Sequence, residues 1–468
     1  MNPRYEHAMN ILVLCWKPWH SVVRTHDNHL FSFRRYGKGN HFYYFNCKNT
    51  GRLPVGLADI PFDAVIFHYT FLALRFDQPS FWAMYERIKP VLKRLQGVKV
   101  IIPHDEYVYT RSLWTLIRDC SVQRVYSSCF PPDCDIIFPE AKTGRKNLCY
   151  PVFTGYIDPA TLRWVEKRRK KFPNKDIDVG YRAGSANYIF GFHGQLKTDL
   201  ANAFQNRMPQ HPHLKEDVKL TYMDSFRNTI TGNAWFDFLL RCRTALGCLG
   251  GSSILDPDGE IRARTLLYVR SHPNATREEI AQACYQGGEG RIQTKILGPR
   301  VFECAMTHTC QLLVEGDYFG VLEPNVDYIP IKKDFSNLDK VMDLVKQDPA
   351  YCEKIAEQCH EHLVASGKYS YEKFVEEILC DLNALAGRQA ESGSGRLLAI
   401  SLNFYRIKSS YMMERAALFF LNKAKTAGRK LYHGLRDLLA AVAKTCMPKT
   451  YDRLRAAYRA RKNGKNGL

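Results

Sequence analysis

Short, continuously apolar runs alternate along this chain with longer segments whose apolar residues recur every three or four positions. Asn10–Cys15, Asp63–His68 and Val98–Ile102 are of the first kind. A strand that is apolar at nearly every position, not at every second one, has both faces covered, as in a parallel sheet beneath helices. Gln78–Leu95 lies between two such strands and carries the helical period. Val122–Tyr126 and Leu148–Phe153 continue the series. Strand–helix–strand repetition of this kind predicts a doubly wound α/β domain.

The pattern then breaks and restarts. Arg163–Lys175 is strongly basic and ends Phe-Pro-Asn-Lys, after which Asp176–Arg182 reads as a new strand. A boundary near residue 172 divides the chain into units 1–172 and 173–386. The second unit repeats the logic of the first. Helices are expected at Gly194–Asn206, Trp235–Arg243, Asn337–Lys346, Tyr351–Val364 and Tyr371–Leu385, and strands at Val218–Tyr222, Thr244–Cys248 and Thr309–Val314. Ala386–Gly395 is a small-residue linker into a third region, 387–468. Within it, Leu397–Leu439 mixes apolar clusters such as Leu418–Leu421 with Lys and Arg. Such a helix suits an anionic membrane surface, or else a hairpin packed on the protein with basic outer faces. Disorder is expected from Arg459 onward.

Charge sharpens this picture. The net charge is +20, yet residues 390–468 hold 17 Lys/Arg against 4 Asp/Glu, hence +13 of it. A basic tail, not a basic groove, argues for attachment to an anionic surface and against specific nucleic-acid binding. The 15 cysteines are scattered without a Cys-x-x-Cys pair, the nearest being Cys129-x4-Cys134. Reduced thiols in a cytoplasmic protein are therefore expected, with no disulfide framework or zinc site. His360 and His362 diverge on a helix and are read as surface. No secretory leader and no run of ~20 apolar residues is visible. No Gly-x-Gly-x-x-Gly or Walker loop occurs, which argues against dinucleotide oxidoreductases and nucleoside triphosphatases.

The candidate chemistry centres on Gly298-Pro299-Arg300-Val-Phe-Glu303-Cys. Pro299 suits the first turn of a helix, and Arg300 and Glu303 share one face of that turn. Free amides and the dipole make a helix start attractive to anions. Arg300 is placed to meet a phosphate, and Glu303 to accept hydrogen bonds from ribose hydroxyls. Cys310–Glu315 is a strand ending in an acid, followed by Tyr318-Phe-Gly320-Val-Leu-Glu323-Pro324. The plain alternative is a surface ion pair on an ordinary helix.

This series resembles the C-terminal domain of GT-B glycosyltransferases, in which an Arg-x-Phe-Glu-Ala-type helix precedes a strand and a loop ending Tyr-x-Gly-x-x-Glu-Pro. It is most similar to the spore-maturation-protein-like group of bacterial enzymes, from about Asp178 to Val345. The resemblance implies two Rossmann-like domains facing a cleft, and transfer of a sugar from a nucleotide-sugar donor to a saccharide or lipid-linked acceptor. A transferase of the hexosyltransferase type is expected, and the basic tail points to an acceptor at the inner membrane, such as a growing lipid-linked or surface polysaccharide, for a cytoplasmic or peripheral-membrane protein.

Other residues take places within that frame. His104-Asp105 follows the strand Val98–Ile102, where open α/β sheets bind ligands. The resemblance gives His104 contact with the sugar or acceptor, and Asp105 acceptor binding or proton transfer; the alternative makes Asp105 an N-cap. Arg182 and Gly184 follow the first strand of the second unit and face the donor diphosphate in such folds, with Lys197 as a further phosphate contact. Gly250-Gly-Ser252-Ser253-Ile-Leu-Asp256-Pro-Asp258-Gly-Glu260 lies at another strand end. It reads as donor-site architecture, or as a tight structural turn. Glu315 and Tyr318 complete the donor side.

One departure stands out. Many retaining enzymes of this fold carry two glutamates seven residues apart, and the position paired with Glu303 is Lys295. The retaining outcome therefore stays open, with Asp256 or Glu260 as replacement acids. Lys295 and Arg300 together would neutralise a diphosphate, so no essential metal and no cofactor beyond the nucleotide-sugar co-substrate is expected. The rival readings are a catalytically silent module of the same fold, a nucleic-acid-binding protein and a sugar–nucleotide epimerase.

Overall fold

The computed structural model describes residues 8–17, 24–47, 52–186, 188–221, 228–387 and 394–427, with 394–396 and 414–427 by their backbone only. It contains two parallel sheets. The first is built from β1 (Asn10–Cys15), β2 (His41–Asn46), β3 (Ala64–Phe67), β4 (Val98–Ile101), β5 (Arg124–Ser127) and β6 (Cys149–Pro151), in the order β2-β1-β3-β4-β5-β6. The second uses β7 (Ile177–Gly184), β8 (Glu216–Thr221), β9 (Cys242–Gly247), β10 (Cys310–Val314) and β11 (Tyr328–Ile331), in the order β11-β10-β9-β7-β8. Read from β8, the second sheet repeats the first five places of the first sheet. Each therefore has a switch point beside its leading strand, β1/β3 and β7/β9, where crevices open at the carboxyl ends.

The continuously apolar runs became interior strands. All residues of β1, β3 and β10 are buried, as parallel strands covered on both faces must be. β2 went unpredicted because its sequence, His-Phe-Tyr-Tyr-Phe-Asn, is that of an edge strand, half covered and aromatic.

The 172 boundary does not match where the chain changes sides. The helix Pro159–Arg169 already belongs to the second body, since Val165 packs with Phe236 and Leu240. The chain returns before 386. The helix Tyr371–Ala386 buries Phe374, Val375, Ile378 and Leu382 against β1, β3 and β4 of the first body. Arg124 clamps it by two 2.9 Å bonds to Asp381. The two crossings lie side by side. The Ile157 amide donates to the Tyr369 carbonyl at 2.8 Å, and the Tyr371 amide to the Ile157 carbonyl at 2.9 Å.

The expectation of reduced thiols fails at one pair. Cys134 and Cys149 form a disulfide with Cα atoms 6.5 Å apart. The fold brings together the helix Asp133–Ile137 and β6, which sequence spacing does not disclose. Of the other cysteines among the described residues, all but Cys248 and Cys380 are buried. His360 and His362 do diverge, but neither is merely solvated. The His360 ring stacks on His308 at 3.9 Å and His362 pairs with Asp327 at 2.9 Å. Among the described residues no helix is long and apolar enough to cross a membrane. The expected linker core, the tail beyond 427 and the terminus for which disorder was expected lie outside the described residues.

Candidate active site

The loop after β4 is held from beneath. Arg75, fully buried, donates to the carbonyls of Leu72, His104 and Asp105 at 3.1, 2.6 and 2.8 Å. Glu106 accepts from the Ser127 hydroxyl at 2.6 Å and from the Ser128 amide and hydroxyl at 2.8 and 2.9 Å. His104 thus stands at a fixed height, its ring stacked on Tyr69 with centroids 3.9 Å apart. Burial is the main reason its imidazole is held down to about 4, with Asp105 opposing and His26 and Arg75 reinforcing. At neutral pH His104 is uncharged.

Two buried histidines lie behind it. The His68 Nδ1 accepts from the Thr70 amide at 3.2 Å, which assigns the His68 proton to Nε2. That nitrogen meets His29 Nδ1 at 2.9 Å, leaving the His29 proton on Nε2, which has no partner. Asp105 is not an N-cap. Its backbone is left-handed (φ 50°), its carboxylate accepts from the Tyr107 hydroxyl at 2.6 Å, and the next helix begins only at Thr110.

The opposite wall comes from the second sheet. The helix Arg300–Met306 opens after Gly298-Pro299 as the spacing predicts. Its mouth is less open to anions than expected, because the amides of Val301, Phe302 and Glu303 bond the carbonyls of Gly298 and Pro299. Anion affinity rests on side chains instead. The Arg300 guanidinium lies over the rings of Tyr181 and Trp235, 5.2 and 5.5 Å from their centroids, and donates to the Arg182 carbonyl. Its Nε is buried without a partner. Glu303 is buried, which raises its carboxyl above the ordinary value. It accepts from Trp235 Nε1 at 2.8 Å and from the Thr25 hydroxyl at 3.2 Å.

One cavity of about 550 Å³ joins these walls. His104 and Asp105 line one side, and Gly184, Lys197, Arg300, Glu303 and Tyr318 the other. Arg182 borders it too, but its guanidinium is committed elsewhere. It bonds the Asp217 carboxylate at 2.7 Å and lies 4.6 Å from the centroid of Phe238.

The Gly250–Glu260 run is placed differently from the expectation. Only Gly250 and Gly251 border the cavity. The Ser252 hydroxyl donates to the Phe190 and Ile254 carbonyls at 3.1 and 2.8 Å. The Asp256 carboxylate accepts from the amides of Ile261 and Arg262 at 3.3 and 2.8 Å, satisfying the start of the helix Glu260–Ser271. The same run straps the two bodies together, with the Asp256 amide on the Tyr107 carbonyl at 2.8 Å and the Arg111 guanidinium on Asp258. Glu260 is exposed, so neither acid replaces the one missing at 295. Ser253, Lys295 and Glu315 line a second cavity of about 1220 Å³ beside the first. Lys295 pairs there with Asp317 at 3.4 Å and does not join Arg300.

Several cavity residues were not foreseen. Arg24, Thr25 and His26 begin the helix after β1, and Tyr69 follows β3. The rule that found His104, inspection of strand carboxyl ends, applied to β1 and β3 would have found them. Trp235 had no sequence signal beyond its helix.

The sequence matches no protein-family model and no curated protein. Among solved structures it is similar to Anabaena Alr3699/HepE in complex with UDP and glucose, at 10% identity over 80% of this chain and 100% of that one, TM-score 0.43. The Candida albicans trehalose-6-phosphate phosphatase N-terminal domain gives 10%, 82%, 98% and 0.42. An alpha1,3-fucosyltransferase gives 11%, 82%, 92% and 0.39.

Proposed function

We propose that the chain is a GT-B glycosyltransferase that moves a hexosyl unit from a nucleotide-sugar donor to a saccharide or lipid-linked acceptor in surface polysaccharide synthesis. The observation that carries this reading is the single cavity in which His104 of the first body faces Arg300 and Glu303 of the second. Its volume suits a small polar ligand.

The donor diphosphate meets Arg300 and Lys197. Arg300 lies within 5.5 Å of the centroids of two aromatic rings and has a buried Nε–H without a partner. A guanidinium so fixed stabilises charge developing on a leaving diphosphate, without reorganising as the bond breaks. These two cations do what a metal does elsewhere, so no divalent ion is invoked. Glu303 orients hydroxyls of the donor. Neutral His104 contacts the transferring sugar or the acceptor hydroxyl, which it can hydrogen-bond in either direction. Closure of the two bodies on the ligand would exclude water and so limit donor hydrolysis. The acceptor is met at an anionic membrane surface on the cytoplasmic side.

A thermal-shift series of nucleoside diphosphates and nucleotide sugars tests the reading. A binder at 100 times its dissociation constant stabilises by about 2.7 kcal/mol. Arg300→Ala should abolish the shift. A shift unchanged in that variant, or none with any nucleotide, would sink the proposal. The anomeric configuration of the product, read by NMR, decides between retention and inversion.

A further inference from the structure

The helix Ser394–Ala427 has two apolar faces. One is docked. Ile400, Phe404 and Tyr411 are buried in the core of the first body. The Tyr411 hydroxyl donates to the Arg52 carbonyl at 3.0 Å, the Ser401 and Tyr43 hydroxyls meet at 2.9 Å, and the Lys408 ammonium donates to the Tyr44 carbonyl at 3.1 Å. The other face is bare. Leu398, Leu402, Tyr405, Met412 and Met413 stand 60, 61, 58, 49 and 45% exposed. At about 100° per residue they fall within an arc of roughly 100°, opposite the docked positions.

An exposed apolar stripe of this kind, interrupted by Ser409, marks an interaction surface. Charge selects its partner. Exposed Arg406 borders the stripe. Downstream, residues 414–468 hold 14 Lys/Arg against 3 Asp/Glu, hence +11. A second copy of this chain would bring two such tails together, and they would repel. An anionic bilayer attracts them, by about 1 kcal/mol for each cation near the surface. Leucine and methionine then enter the acyl boundary, and tyrosine takes the headgroup level.

We propose that the stripe Leu398–Leu402–Tyr405–Met412–Met413 docks in the plane of an anionic lipid bilayer, so that the membrane is held against the first body and not the second. The docking is independent of the sugar-transfer reading, because its readout is lipid binding and not turnover. If both hold, the membrane lies on the side of the wall that carries His104.

The experiment is flotation of the full chain with vesicles of phosphatidylcholine alone, or with roughly a third phosphatidylglycerol. The wild type should float with the anionic vesicles only. The triple variant Leu402→Ser, Tyr405→Ser, Met412→Ser should bind them about tenfold more weakly or less, with its melting temperature unchanged, since the three side chains are exposed. A variant that floats like wild type overturns the proposal. So does equal flotation with neutral vesicles. A wild-type dimer that the variant converts to monomer would assign the stripe to a second copy, and flotation that appears only after truncation at Ala427 would assign it to the chain's own tail.

Discussion

The Thr25 hydroxyl donates to the Glu303 carboxylate at 3.2 Å. The first residue belongs to the helix after β1 and the second to the helix before β10, so this bond joins the two bodies at the edge of the cavity. The same carboxylate is fixed by Trp235 Nε1. Thr25→Val should remove the cross-cavity bond while keeping the shape. A neutral hydrogen bond is worth about 0.5–1.5 kcal/mol, so the expected loss of thermal stability is small. The larger effect falls on the donor: a carboxylate freed from Thr25 has a lone pair for a ligand hydroxyl. Titration calorimetry should show nucleotide-sugar affinity unchanged or higher in Thr25→Val and lower in Glu303→Gln. Equal weakening in both would mean that Thr25 itself touches the ligand.

Lys197 and Lys295 make a matched pair of tests. Lys197 lines the cavity with Arg300, whereas Lys295 lines the neighbouring one and pairs with Asp317. A hydrogen bond to a charged group contributes about 1.5–3 kcal/mol. Lys197→Ala should therefore weaken nucleoside diphosphate binding by roughly 10- to 100-fold, using 1.4 kcal/mol per decade. Lys295→Ala should change it far less. The reverse order would move the diphosphate into the second cavity and return Lys295 to its expected partnership with Arg300.

What the sequence disclosed follows from the kind of signal each feature leaves. Interior strands such as β1 and β3 are apolar at every position, so the doubly wound character and its repetition were legible. His104 and Arg300 stand at a strand end and a helix start, positions the fold class defines, and both line the cavity. The boundary at 172 was misplaced because the helix Pro159–Arg169 is basic and little buried, and its allegiance rests on Val165 and its neighbours. Arg182 borders the cavity as a charge at a strand end suggests, but its commitment to Asp217 leaves no mark in the sequence. Only the fold reveals Asp217 on the adjacent strand β8, two places from Lys219, the register partner of Arg182. The Gly250–Glu260 run was misread for a related reason. Serine and aspartate in a loop suit a nucleotide equally well as a capped, strapped turn, and the choice depends on amides that only the structure supplies.

Asp256 decides between those two roles. Its carboxylate satisfies two amides of the helix Glu260–Ser271 from a buried position. Asp256→Ala leaves them unpaired at about 1–3 kcal/mol. Urea unfolding should register that loss, and donor affinity measured on the folded fraction should stay within about twofold, short of the decade that 1.4 kcal/mol would give. A stable variant with lost donor affinity would reinstate the donor-site reading of this loop.

The histidines behind the cavity set the response to acid. His104 is held down to about 4 from the ordinary 6.5, and His29 and His68 lie well below their ordinary value, in each case chiefly through burial. The unfolded chain then binds more protons than the folded one between the two values, so stability rises with pH across that window. It is full above about 6.5 and is lost as pH falls toward 4, by up to about 1.4 kcal/mol per pH unit for each histidine involved. Glu303 acts in the opposite sense. Its raised carboxyl makes the folded state bind more protons above the unfolded value near 4.3, so it lowers stability as pH rises through its own titration. His26, His193 and His308 are lowered as well, and Glu106, Asp256 and Glu377 are raised like Glu303, so six histidines oppose four carboxyls and the net expectation is a fall in urea midpoint from pH 6.5 to pH 5. His104→Phe keeps the aromatic stack on Tyr69 and removes one titrating group, so it should flatten that slope by one proton's worth. A slope in His104→Phe as steep as wild type would show that the His104 imidazole is not kept neutral by the fold.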